Sequence, residues 1–330
     1  MNLGSVEQRL EQLTTMRFAA TALLLTAVAA GDHHFSFDDY TNLLPLPNHH
    51  TNGTTLLALP AKLSWTWSGS GSQPEVLAAA TRRYGGIIFG WGAPTVKPPS
   101  GAASLKQVDI KVDDPDDSYK TLQLGMDESY TLDVPTTGTA TIRAPTVWGA
   151  LRALETLAQL IEFHPDGAPM GAQGNKMAQP WGSQVDARHQ KEYTLAWAPW
   201  HIADAPRFKH RGIMLDTARH FFTVPGILRQ FDAMAAAKVR TMLLVLLLLL
   251  LLLRLLLVLL VLTFRASKMN TMHWHITDGN SVPIESKLFP DLNKKGAYNP
   301  VTMIYTQEQI KGVVAYARHR GIRVVPEFDM

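Results

Sequence analysis

MNTMHWHITD, residues 269–278, decides how the second half of this chain is read. It has the look of a buried β-strand that ends in polar groups, with His273 and His275 on one face. Similar strands flank it. Upstream, RGIMLD (211–216) is a short apolar strand. Thr223 then caps a helix through Lys238, with Ile227, Leu228, Phe231 and Met234 on one face. Downstream, Thr306 and Gln309 form a capping box ahead of Ile310, Val313, Val314 and Ala317. Gly321 closes that helix, and IRVVPEFD (322–329) is the next buried strand. Strand, helix, strand, helix, strand is the pattern of a parallel sheet. Each strand ends in an acidic residue: Asp216, Asp278, and Glu327 with Asp329. In a β/α barrel the functional groups sit at the strand C-termini, so the spacing predicts an α/β fold that opens a (β/α)8 TIM barrel.

The first half has a different texture. Residues 31–75 are rich in His, Pro, Ser, Thr and Gly, with Trp65 and Trp67, and read as strands and loops. PEVLAAATRRYGGIIF (74–89) reads as a short helix. LKQVDIKVDD (105–114), ESYTLDVP (128–135) and GTATIRA (138–144) alternate as strands do. TVWGALRALETLAQLI (146–161) has the helical period, with Val147, Ala150, Leu151, Leu154, Leu157 and Leu160 on its apolar side. A small α+β domain over 31–162 is expected. HPDGAPMGAQGNKMAQPWGSQ is Gly/Pro-rich and unpatterned, so 163–206 reads as a linker or insertion before the barrel region at 207–330.

With 330 residues the chain can hold two domains of ordinary size. Net charge is only +3 and no basic run stands out, so nothing points to nucleic acid. The absence of cysteine excludes disulfides and thiol-based sites. MRFAATALLLTAVAA (16–30) has the Arg, the short apolar run and the small residues of a secretory signal, which assigns residues 1–30 to export. That predicts the secretory pathway, with an extracellular or vacuolar/lysosomal destination. Asn52-Gly53-Thr54 is a glycosylation sequon and agrees weakly with it.

Several side chains could carry chemistry. His273 and His275 could be a metal pair, but no third ligand is apparent, and packing with hydrogen bonding is the simpler role. Asp278 could accept bonds from sugar hydroxyls or cap the following turn. Arg211 could be solvated, or could grip paired hydroxyls or a carboxylate with its planar fork. Asp216 could contact substrate or partner Arg219. Glu327 and Asp329 share a strand face and could divide acid and base roles, or be satisfied by nearby Arg or His.

HRGIMLDTARHFF (210–222), MHWHITDGNSVPIES (272–286) and the run from Phe289 to Met330 resemble the family 20 glycoside hydrolases, the β-N-acetylhexosaminidases. DESYTL (127–132), TVWGALRALETLAQLI and WAPWHIADAPRFKHRG (197–212) resemble the same enzymes. The resemblance implies an α+β domain followed by the barrel. It implies removal of terminal N-acetylglucosamine or N-acetylgalactosamine from glycans or chitin fragments, without a cofactor. In these enzymes the substrate's own acetamide attacks the anomeric carbon. By resemblance, Arg211 binds hydroxyls of the non-reducing-end sugar, Asp278 lies in the same pocket, and Asp329 supports the catalytic acid through a histidine. His273 and His275 belong to the strand motif with a structural role. A homodimer is a further implication.

The family's catalytic Asp-Glu pair, in a Gly-Gly-Asp-Glu-like stretch, does not occur in these 330 residues. About three of eight barrel strands are accounted for. Open strand edges and half-covered faces are expected, so this polypeptide is predicted to be neither stably folded nor active.

One segment fits none of this. LLVLLLLLLLLRLLLVLLVL (243–262) is long enough to cross a bilayer. Removing the thirty residues 239–268 joins AMAAAK to MNTMHWHITD and restores a helix-to-strand connection. A valine codon begins GT and a lysine codon can end AG, so Val239 and Lys268 fit the ends of a retained intron. The other reading is a true membrane span in a non-catalytic, membrane-anchored product. Arg254 near its centre would cost about 2.5–3.5 kcal/mol, and a single crossing would part the first barrel strand from the second.

Overall fold

The computed structural model describes residues 43–95, 100–164, 192–236 and 268–329, all within one compact unit. The leader at 1–30 and the leucine tract at 243–262 lie outside the described residues. Among the described residues, no helix is long and apolar enough to cross a membrane.

Among the described residues, the first half is a seven-stranded mixed sheet with two helices. Its strands are β1 (His49–Ala58), β2 (Ser64–Trp67), β3 (Leu105–Asp114), β4 (Tyr130–Val134), β5 (Gly138–Thr146), β6 (Ile161–His164) and β7 (Glu192–Asp204). They run in the order β1-β7-β4-β5-β3-β2, with β6 also paired to β7. Helix α1 (Glu75–Ile88) lies between β2 and β3 in the chain, and α2 (Val147–Leu160) follows β5 directly. The alternation seen in the sequence is the burial pattern of β4, where Tyr130, Leu132 and Val134 turn inward. Thr146 caps α2 by accepting from the Gly149 amide at 3.3 Å. Gly149 must be glycine, because a Cβ there would collide with the Ser129 carbonyl.

The structure corrects the reading of 163–206 as a linker. Its last third is β7, the longest strand of the molecule's described part, which pairs with β1, β4 and β6. EYTLAWAPWHIAD holds one proline, Pro199, and two tryptophans that obscure a period of two, and β7 is bulged against β1 between Asn52 and Leu57. Proline in a strand counts against the assignment by sequence, but here the sheet accommodates it at that irregular stretch.

The second half is the parallel sheet that the strand ends predict. β8 (Gly212–Asp216), β9 (Thr271–Thr277) and β10 (Arg323–Phe328) run in the order β10-β9-β8. Both pairings are parallel, with His275 opposite Asp216 on one side and Glu327 on the other. Among the described residues the helices are α3 (Val224–Ala236), the short α4 (Pro290–Gly296) and α5 (Gln307–Arg318). The capping box of α5 is present: Gln309 N–H donates to Thr306 Oγ1 at 3.1 Å, and Thr306 N–H to Gln309 Oε1 at 2.9 Å. Gly321 takes φ of +64° just past that helix, which suits glycine. One face of the sheet meets α3 and α5 and forms a core of Ile227, Phe231, Met272, Trp274, Ile276 and Val313. The other face carries Met214, His273 and Val325, and among the described residues both edge strands have no further strand partner. The result is an incomplete (β/α)8 barrel below a mixed sheet.

A polar seam joins the two halves. Every residue of α2 is buried, its charged ones included. Arg152 donates from Nε to Glu128 at 2.8 Å and from NH2 to the Gly321 carbonyl at 3.2 Å. Lys268, just ahead of β9, donates to Tyr130 Oη at 3.0 Å and Thr156 Oγ1 at 2.9 Å, and faces Asp204 at 3.5 Å. Burial pulls this lysine down to about 8 even with Asp204 opposing the shift.

Candidate functional site

Parallel pairing brings the ends of β8, β9 and β10 to one level, and the polar residues there meet. Asp216 closes β8. Its Oδ1 accepts the backbone amides of Ala218 at 3.1 Å and Arg219 at 3.0 Å, folding the chain back over the strand end. That turn brings the Arg219 guanidinium onto Asp216 Oδ2 at 2.7 Å and into an ion pair with Asp278. Asp278 follows β9 in a tight turn closed by two backbone bonds with Ser281, and its Oδ1 accepts the Gly279 amide at 2.5 Å. Thr277 and Asp329 tie β9 to the end of β10 by reciprocal bonds at 3.0 and 3.3 Å.

Between these carboxylates stands His275, buried, with both ring nitrogens engaged. Nδ1 is 2.7 Å from Glu327 Oε2 and Nε2 is 3.1 Å from Asp278 Oδ2. His273, two residues earlier on the same face, puts Nε2 2.7 Å from the same Glu327 oxygen. The charges follow the contacts. Glu327 raises His275 above the ordinary histidine value despite partial desolvation. His275 first, then the Gly279 amide and Arg219, hold Asp278 below the usual carboxylate range. The two histidines hold Glu327 low, His275 more strongly.

His275, Asp278 and Asp329 bring potential ligand atoms within 4.8 Å of one another. The same atoms of His275 and Asp278 already serve Glu327, Arg219 and each other, so hydrogen bonding accounts for the cluster without an ion. Two hollows, about 720 and 370 Å3, lie over the seven-stranded sheet, lined by Asp113, Thr131 and Arg143 and by Thr51, Asp133 and His201. They are broad surface depressions away from the strand ends, and the convergence of charged groups marks the site better than volume does.

Of the expected residues, the structure brings Asp278, His273, His275 and Asp329 to one place. Arg211 is elsewhere. It precedes β8 at the opposite end of the strand, about 16 Å away at the rise of an extended chain. There it is buried, donating to Glu128 Oε1 at 2.6 Å, to the Phe208 carbonyl at 2.6 Å and to the Lys268 carbonyl at 2.9 and 3.0 Å. The arginine at the strand ends is Arg219, half-exposed and already on Asp278. The sequence offered a signal for it: Arg219 lies three residues past the acidic strand end, where a turn returns it to the sheet. Glu128 gave no signal beyond its place in DESYTL.

Charged residues gathered at the C-termini of parallel strands are where β/α barrel enzymes carry their functional groups. Residues 208–246 and 259–330 match the profile of the glycosyl hydrolase family 20 catalytic domain, and residues 43–160 match one described as beta-acetyl hexosaminidase like. The chain belongs to glycosyl hydrolase family 20. It is 35% identical over 267 residues to beta-hexosaminidase subunit beta of Felis catus, covering 79% of this chain and 39% of that one. It is 32% identical over 324 residues to beta-hexosaminidase subunit alpha of Bos taurus, covering 96% of this chain and 48% of that one. Among solved structures, the Flavobacterium johnsoniae chitobiase superposes with a TM-score of 0.58 at 28% identity, covering 88% of this chain and 34% of that one. The chain thus spans less than half the length of the curated relatives it matches. The catalytic-domain match breaks off between residues 246 and 259, within the leucine tract.

Proposed function

We propose that the ends of β8–β10 form the sugar-hydroxyl-binding part of a β-N-acetylhexosaminidase site, acting on terminal N-acetylglucosamine or N-acetylgalactosamine of glycans or chitin fragments. The observation that carries it is the pairing of Arg219 with Asp278 at the strand C-termini. A guanidinium fork and an ionised carboxylate side by side offer donors and acceptors to adjacent hydroxyls of one sugar ring. Arg219 takes the role that resemblance had assigned to Arg211. Asp329 borders the same cluster, and in this reading it supports a neighbouring acid.

Titration of the protein with N-acetylglucosamine tests this. Asp278→Asn and Arg219→Met are each expected to weaken binding roughly ten- to a hundredfold, because each removes a charged hydrogen-bonding partner. Equal affinity in all three forms would exclude the site.

Asp278 and Glu327 are poor general acids. Both are held below their ordinary range and stay ionised near neutrality, whereas an acid that protonates a leaving oxygen needs a raised value. Serving the binding of the sugar, rather than protonating its leaving oxygen, is the role proposed for these two carboxylates. An export route through the secretory pathway rests on the pattern at 16–30, and Asn52 sits exposed on edge strand β1, where a glycan could be attached.

The tract at 239–268 is best read as an insertion foreign to the fold. β8 and β9 pair residue for residue on either side of it, and a single membrane crossing would separate them. Its removal leaves Lys238 directly before Met269, the chain position that Lys268 holds.

A further inference from the structure

Both ring nitrogens of His275 face carboxylate oxygens, Glu327 Oε2 from β10 and Asp278 Oδ2 from the end of its own strand. A neutral imidazole has one N–H and can satisfy only one of them; the imidazolium donates to both. Its surroundings favour that charge. Asp216 faces it from β8, Asp329 lies beyond β10, and the neighbouring positive groups are Arg219, reached through Asp278, and His273, reached through Glu327. Glu327 is the hub, because a single oxygen accepts from His273 and His275 at 2.7 Å each.

We propose that Glu327 is a positioning residue: by bridging the two histidines it keeps His275 doubly protonated, and the second N–H of that ring fixes the Asp278 carboxylate that a sugar would meet. Glu327 need not touch the sugar. It acts across one strand pairing, from β10 through β9 to the turn after β9. The inference deepens the proposed sugar site and rests on it for its consequence, but the coupling itself can be measured without any sugar.

The sign of the pH effect follows. A histidine raised by its partners keeps its proton as pH climbs past the ordinary value of about 6.5. The grip on Asp278 is complete in acid and is lost as pH rises through the raised value. The experiment follows the ring nitrogens of His275 and the Asp278 carboxyl carbon by NMR across about pH 5 to 8, in the 330-residue chain and in Glu327→Gln and Glu327→Asp. The parent should hold the imidazolium above its ordinary titration. Glu327→Gln should let it titrate about one pH unit or more lower, with the Asp278 signal moving at the same midpoint. Glu327→Asp should restore part of the difference, since the charge returns on a shorter arm. N-acetylglucosamine affinity, measured alongside, should fall with rising pH at the His275 midpoint of each form and converge in acid. A purely structural role would instead lower affinity equally at every pH. An unchanged His275 titration in Glu327→Gln overturns the proposal. A shifted titration without sugar binding in any form leaves the coupling standing and overturns the sugar site.

Discussion

Glu128→Ala is expected to cost about 3–5 kcal/mol of stability, the range for removing one member of a buried ion pair. Glu128 is almost fully buried, with Arg152 at 2.8 Å and Arg211 at 2.6 Å on one carboxylate oxygen and the Asn270 amide at 3.1 Å on the other. Its loss leaves two guanidiniums in the seam without the anion they share, which is why the effect exceeds that of an exposed pair. The carboxyl's own titration gives a second signature. Burial pushes it up, but the two arginines more than offset this and hold it below its ordinary value. A depressed carboxylate contributes fully above its unfolded value, and that contribution is lost as pH falls through the folded one. Denaturant melts should show a constant deficit for Glu128→Ala near neutrality that narrows below about pH 4. A deficit under about 1 kcal/mol, the scale of an exposed pair, would mean that the seam is wet and does not hold the halves together.

Trp274→Ala should cost about as much, roughly 3–5 kcal/mol, by emptying the centre of the second core. Trp274 lies on the middle strand of the three, 1% exposed, edge-on to Tyr305 with ring centroids 5.4 Å apart. Its indole donates to Thr217 Oγ1 at 2.9 Å. The cavity would fall beneath β8 and β10 at once, since both pair with β9. The loss should be local: hydrogen exchange is expected to show the amides of β8–β10 losing protection while those of β3–β5 keep theirs. Uniform loss across both sheets would show that the molecule has one cooperative core rather than two.

Legibility in the sequence followed the physics of each segment. The βαβαβ order, the acidic strand ends and the α5 capping box were readable because each rests on local periodicity or a short-range bond. α2 was readable as a helix but not as one buried all round, because the partners of Arg152 and Thr156 come from Gly321 and Lys268, far along the chain. β7 was hidden because its regularity is imposed by three neighbouring strands rather than by its own alternation. The histidine motif disclosed a shared face but not the Glu327 bridge, which depends on the register between β9 and β10. Arg211 and Arg219 show the limit most clearly. Eight positions apart, either could serve a sugar on chemistry alone. Strand direction separates them: one precedes β8 and is buried against Glu128, the other follows it and meets Asp278.

The most direct test maps, by NMR on the 330-residue chain, which residues respond to N-acetylglucosamine. The predicted result is a saturable response confined to the strand ends, at Arg219, Asp278 and their neighbours, with Arg211 and Glu128 silent. A response centred on Arg211 and Glu128, or on the hollows over the seven-stranded sheet, would contradict it.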